Sequence, residues 1–454
     1  MPYWIYNLVL VLALGGCASF RSYDKELYQT LDRVSTGNVE SAIQLLESNN
    51  KSADKDLLYY LELGMLQRLA ARYGESQKAW MSATARIQSS REAEVSNFLR
   101  DASSFVMGDK MRAYNGHDYE KVMLLTFMAL NHLAMGDFEN ARVAIKQTHE
   151  LEAQIAELRG KLYAEVEDGA RKRGARTSFK ELNGYPIQTI DNPEVNALRN
   201  GYQSALSHYL AGFIYEALGE PSLAAPGYRL ANELQPGRAL LEDGLRGLDQ
   251  RVAAPDDGMT DVLLIIGSGS APALQSRQFM LPIVWQGRLL LIAHSFPVMQ
   301  PTSGMSWPST LTVGGRTLPV ERITSVDLMA RRVLKDEMPS IMLRANVRTA
   351  AKAIAQYQAQ RAAQREQTLA AALAAGVITV GSAVLESADD RTWRALPAEV
   401  SIARTRLPRG AHNITLQTSL GPRTVPVSVS GRYAVVDLRL LRNQIFVSAP
   451  RAGA

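Results

Sequence analysis

Residues 208–236 (HYLAGFIYEALGEPSLAAPGYRLANELQP) set small, aromatic and helix-ending residues at fixed intervals, and this spacing constrains the chain more than any other feature. Gly212 and Ala224 leave room for two helices to approach. Tyr215 and Tyr228 fill the space between them, Gly219 makes the turn and Pro236 ends the second helix. The segment reads as a helical hairpin, which cannot bury its apolar face alone.

These are the spacings of a tetratricopeptide (TPR) repeat. In 57–87, Tyr60, Leu63, Gly64, Ser76, Trp80 and Ala83 fall at equivalent positions, with Gln67 where an aromatic is usual. In 119–148, Gly136 and Ala141 supply the turn and the small residue, while Ala129 and Ile145 replace Gly and an aromatic. Gly37 and Ala42 form a half-match. Three or four stacked units over 18–250 are the expected solution. The segment 159–194 interrupts them and reads as an exposed connection or a partner-binding excursion.

The second half changes character. Residues 251–260 (RVAAPDDGMT) read as a linker, 261–398 as a mixed strand and helix region, and 399–454 as a small antiparallel β-sandwich with a turn every eight to ten residues. The predicted fold class is therefore α+β multidomain: a TPR-like helical solenoid, a mixed α/β region, then the sandwich. The strand DVLLIIGSGSAP ends in a Gly/Ser turn, but it lacks a third Gly and carries Pro272, so it is no phosphate loop. A helix is expected from about Ser325, broken at Pro339. The Ala-rich run from Thr368 to Leu385 has transmembrane length but marginal hydropathy, and reads as a helix buried against the sheet.

Cys17 is the only cysteine, so disulfides play no part within the chain. It follows the apolar run WIYNLVLVLAL and Gly15-Gly16, the pattern of a lipoprotein signal peptide over 1–17 with a lipobox. A cleaved secretory signal or an anchor helix is the alternative. Lipidation at Cys17 would place the mature chain outside the cytoplasm on acyl chains such as palmitate. Ala18 and Ser19 follow, with no Asp to retain it at the inner membrane, so the expected location is the periplasmic face of the outer membrane of a Gram-negative cell.

Charge is uneven. Through Gly258 there are 28 Lys and Arg against 34 Asp and Glu, a net of −6, and from Met259 there are 22 against 11, a net of +11. Such asymmetry marks two faces with different partners. Outside the cytoplasm nucleic acid is a poor candidate; anionic phospholipid and peptidoglycan carboxylates are better ones. A merely Arg-rich soluble surface accounts for the numbers equally well.

Little points to catalysis. The six histidines, at 117, 132, 149, 208, 294 and 412, have no zinc spacing, so neither metal nor cofactor is expected. Glu150 and Glu152 read as a solvated helix face. The most unusual constellation is Asp389, Asp390, Arg391, Trp393 and Arg394. It reads as a structural corner, with either Asp pairing Arg394 and Trp393 pinned beneath the final sheet, or as a Trp/Arg contact for a partner.

Three blocks together resemble a family of proteobacterial TPR-like outer-membrane lipoproteins of this length: Tyr119-Glu120-Lys121-Val122 with ALNHLAMGDFENARV; NPEVNAL with GFIYEALGE and YRLANELQP; and residues 388–397, ADDRTWRALP. The resemblance implies the fold and the envelope location; the family has no settled chemistry to carry over. The expected role is a lipid-anchored periplasmic scaffold, not an enzyme, that binds an unidentified protein partner in its TPR-like groove. The rival is a peptidoglycan- or glycan-binding module, or a cell-wall-active enzyme, using the Arg-rich half.

Overall fold

The computed structural model describes residues 23–97, 109–173, 177–285, 288–301, 307–366 and 387–450. Cys17, the leader over 1–17 and the Ala-rich run 368–385 lie outside the described residues. Within them the fold is α+β: helices come first, followed by sheets of mixed and antiparallel pairing.

Eight helices form four consecutive hairpins: α1 (Tyr23–Ser35) with α2 (Val39–Asn49), α3 (Leu57–Leu69) with α4 (Tyr73–Asn97), α5 (Asp118–Ala134) with α6 (Phe138–Arg173), and, after the short α7 (Pro193–Ala197), α8 (Ala205–Ala217) with α9 (Pro221–Leu234). Each turns on a residue at positive φ: Gly37 at 87°, Ala71 at 56°, Gly136 at 78° and Gly219 at 78°. Five residues later comes a small, fully buried side chain, in turn Ala42, Ser76, Ala141 and Ala224. Four further on comes a large buried one, Leu46, Trp80, Ile145 or Tyr228. Opposite the large residue stands a small one wherever that residue is aromatic. A Cβ on Gly64 would overlap the Trp80 indole, and one on Gly212 would lie 2.6 Å from the Tyr228 ring. Gly227 tightens the last pair further, its missing Cβ falling 2.7 Å from the Gly212 nitrogen.

Two expectations for the helices change. Residues 159–173, though largely exposed, are not a loop but the end of α6, a single helix of 36 residues. The expected linker begins as helix: α10 (Ala239–Leu245) and α11 (Leu248–Ala253) close the array.

Strands β1 (Met259–Ser268), β2 (Leu274–Trp285), β3 (Arg288–Met299), β4 (Thr310–Val313), β5 (Arg316–Pro319) and β6 (Glu321–Ser325) lead into helix α12 (Val326–Glu366). That helix runs through Pro339 without the expected break. Strands β7 (Glu399–Pro408), β8 (Gly410–Thr418), β9 (Gly421–Val429), β10 (Tyr433–Leu441) and β11 (Gln444–Ser448) follow. The strands after residue 399 do not make a sheet of their own. One sheet runs β11-β10-β1-β7-β6 and a second β5-β4-β8-β9, while β2 and β3 pair only with each other. In the first sheet β1 is parallel to β10, so that sheet is mixed rather than antiparallel.

The reason is in β1. Its VLLII core is apolar on both faces, which suits a central strand covered on both sides. Val262, Leu264 and Ile266 point to the second sheet, meeting Leu311, Ile414 and Val429. Leu263 and Ile265 point to the helices, in one core with Leu61, Met65 and Phe127. Helices, five-stranded sheet and four-stranded sheet thus stack as three layers.

Ala71 is the one non-glycine turn residue among the four hairpins. Left-handed backbone costs an L-residue about 1–2 kcal/mol, offset by glycine's larger entropy loss on folding. Ala71→Gly should raise unfolding free energy by about 0.5–1 kcal/mol in urea titrations, with an unchanged m-value.

Candidate functional site

The strap 387–398 leads into β7 and has almost no secondary structure, so its backbone N–H groups need partners other than a ladder. Two buried carboxylates from the helices supply them. Glu120 Oε1, on the first turn of α5, accepts from Trp393 N at 2.7 Å and from the Thr392 hydroxyl at 3.1 Å. Its Oε2 accepts from the Tyr114 hydroxyl at 2.5 Å and His117 N at 3.0 Å. Burial and the Glu120 charge push the Tyr114 and Tyr119 hydroxyls well above 10, so both remain donors. Glu62 on α3 accepts from Arg394 N at 2.6 Å and from Ala395 N.

Between these carboxylates Trp393 is fully buried, its ring 6.0 Å from Trp80 and 6.5 Å from Phe127. It lies against α4 and α5, in the core they share with Val400, Ile402 and Val435 of the five-stranded sheet. Arg394 does not pair with Asp389 or Asp390: Arg391 takes Asp389 at 2.7 Å, Lys110 takes Asp390 at 2.9 Å, and Arg394 faces Asp24 at 3.7 Å and the Ala271 carbonyl. The five motif residues come together, each with a partner the sequence reading did not assign. The repeat-packing residues Gly64, Trp80, Gly136, Ala141, Gly212, Gly219, Ala224 and Tyr228 all sit within the hairpins; Tyr215 is half-buried and Pro236 is exposed just past α9.

Further buried charges tie the same helices to the sheet. Arg68 on α3 pairs Asp437 on β10 at 2.8 Å. On α8, Glu216 takes Arg404 of β7 and Arg251 of α11, each at 2.7 Å. Burial works to raise Glu216, but the hydrogen bonds and charge of Arg251 and Arg404 bring it down to about 2. Asp109 meets Arg344 and Arg348 of α12, and Asp32, Asp256 and Asp257 meet Arg442, Arg409 and Arg406. The acidic first half and the Arg-rich second half are in large part each other's counter-ions.

An open cleft of about 550 Å³ lies between α6 and α12, lined among others by Arg159, Tyr163, Arg199, Tyr202, Arg332 and Lys335. Its walls are braced by Arg159, which bonds Asp118 at 2.6 Å and Glu337 at 2.7 Å. Nearby on α6, Glu150 is exposed as expected but Glu152 is not: it is buried, 3.0 Å from His208, which stacks on His149 at 4.6 Å. Burial pulls His149 down to about 4. Among the described residues no group of three or more His, Cys, Asp or Glu is placed to hold a metal, and no helix is long and apolar enough to cross a membrane.

Sequence reading missed Glu62, Arg68, Glu120 and Glu216. The signal was available at Glu62 and Arg68: both fall in α3 among Leu58, Leu61, Met65 and Leu66, where a charge on an apolar face demands a partner.

Glu120→Ala would leave several buried donors without an acceptor and should lower unfolding free energy by about 3 kcal/mol or more. Glu62 behaves differently. Burial raises it to about 8 against the pull of the Arg394 and Ala395 N–H groups. Because that lies above the ordinary 4.5, the folded state holds a proton the unfolded chain has released, so stability is full below 4.5 and declines as pH rises to 8. Denaturant midpoints across this window should show the decline, and Glu62→Gln, neutral throughout, should flatten it.

No protein-family model, curated protein or solved structure matches this chain.

Proposed function

We propose that the chain is a lipid-anchored scaffold on the periplasmic face of the outer membrane, acylated at Cys17, whose TPR-like array serves as an internal frame and not as an open peptide groove. One observation carries this reading: the helix faces on which a repeat array would seat a partner peptide are filled by residues 392–395 of the chain itself, held on Glu62 and Glu120. The regular turn and packing positions support the TPR-like assignment, and the three blocks of family resemblance agree with it. Partner binding then falls to surfaces that remain open. The cleft between α6 and α12 is one of them, with exposed Tyr163 and Arg199 on its rim. Its volume is that of a pocket for a side-chain cluster or a short segment of a protein partner. The scaffold does no covalent chemistry and needs no cofactor.

The rival, a module gripping anionic peptidoglycan with the Arg-rich half, loses weight because Arg331, Arg344, Arg348, Arg391, Arg404, Arg406 and Arg409 are paired within the chain.

The test is in-cell photo-crosslinking of the full-length protein in its native host. A crosslinking residue at Tyr163, on the cleft, is compared with one at Leu223, exposed on α9, and with a Cys17→Ala control. Recurrent capture of one envelope protein from Tyr163, absent from Leu223 and lost in the control, is expected. Capture of glycan fragments alone would overturn the scaffold reading.

A further inference from the structure

Gly160 lies in the interior of α6 and lines the cleft between α6 and α12. Glycine at such a position weakens a helix by about 1 kcal/mol relative to alanine. At Gly64, Gly212 and Gly227 packing accounts for it, because a Cβ there would strike a ring or a backbone atom. A Cβ on Gly160 would meet nothing within 4 Å. What the missing side chain leaves is open cleft, about 550 Å³ of it, lined also by Tyr163 and Tyr202.

Charge identifies what suits that space. Asp118 is shared by Arg159 at 2.6 Å and Lys121 at 3.5 Å, and Glu337 by Arg159 at 2.7 Å and His117 at 3.5 Å. Burial works to lower His117, but Glu337 raises it to about 9, so it is charged at neutral pH. Asp191 is shared by Lys335 at 2.9 Å and Lys180 at 3.0 Å, and Asp336 serves Arg332 at 3.1 Å. Six cations thus share four carboxylates, and Arg199, exposed on the rim with no ion pair among the described residues, is a seventh. Seven cations against four carboxylates leave a net of +3 around the cleft. Two tyrosines beside surplus cations suit a carboxylate flanked by aromatic or apolar groups.

The α12 wall adds a backbone acceptor. Pro339 and Lys335 both line the cleft, and Pro339 has no N–H for the Lys335 carbonyl one turn back. A carbonyl without its helical donor, next to cations and rings, fits a peptide chain better than a bare inorganic anion.

Resting on the reading of this cleft as a place where a partner binds, we propose that it seats an acidic segment of a protein partner. A carboxylate of that segment meets Arg199, and its aromatic or apolar neighbours lie over Gly160 beside Tyr163 and Tyr202.

The full-length protein, purified in detergent, selects from random dodecapeptides displayed on phage, in parallel with Gly160→Leu and Arg199→Glu. Neither substitution removes a packing contact or an ion pair, so Arg199→Glu should melt with wild type and Gly160→Leu no lower. Wild type should enrich peptides rich in Asp and Glu that also carry Tyr, Phe, Trp or Leu. The same peptides, synthesised and followed by fluorescence anisotropy, should bind either variant about tenfold or more weakly, and should bind wild type less well with added salt. Neutral or basic peptides selected by wild type and rejected by Gly160→Leu would overturn the acidic assignment while leaving the cleft as the partner site. Equal selection by wild type and both variants would overturn the assignment and the cleft reading together. Sedimentation with peptidoglycan sacculi that is lost in Arg199→Glu would overturn it in favour of the carboxylates of the wall itself.

Discussion

Two carboxylates hold this molecule together at a point where secondary structure does not. The strap 392–395 lies against α3, α4 and α5 without a ladder, and a buried backbone N–H left unpaired costs about as much as a lost hydrogen bond. Glu120 and Glu62 accept those N–H groups. With the strap held, Trp393 fills the space beside Trp80, which itself occupies the gap left by Gly64. The helical layer is thereby completed by a segment some 270 residues away from Glu120 in sequence. Carboxyl groups suit this task because each offers two oxygens that take several donors at once and leave no part of the strap free to choose another register.

The same principle organises the interface between helices and sheet. Arg68 with Asp437 and Glu216 with Arg404 are buried ion pairs whose partners lie on different layers. Such pairs contribute little net stability, yet breaking one leaves an uncompensated charge. They act to select one docking of sheet on helices, while the apolar area of Leu263, Ile265, Val400 and Ile402 contributes the stabilisation.

Much of the helical half was legible because its determinants are local. A positive-φ glycine, a small residue five positions on and a large one four beyond that can be read along a single stretch, as at Gly219, Ala224 and Tyr228. Ala71 blurred one copy by placing a non-glycine in the same backbone conformation. The sheet was legible strand by strand but not in its pairing, since β1 finds β10 and β7 more than a hundred residues away and alternation does not name a partner. The charge asymmetry was visible as numbers. Its meaning was hidden, because a net of −6 facing a net of +11 describes an internal interface as readily as two external ones. The ADDRTWRALP block stood out for its composition, while the two glutamates that receive it looked like ordinary helix residues.

The central claim is that residues 393–395 are part of the helical core although they belong to no helix or strand. Native-state amide hydrogen exchange, read residue by residue, tests it most directly. The account predicts that Trp393, Arg394 and Ala395 exchange as slowly as the middle of α3 and α5, by an opening that exposes the whole helical layer. Exchange at these three amides at the rate of an open loop, with α3 and α5 still protected, would contradict it.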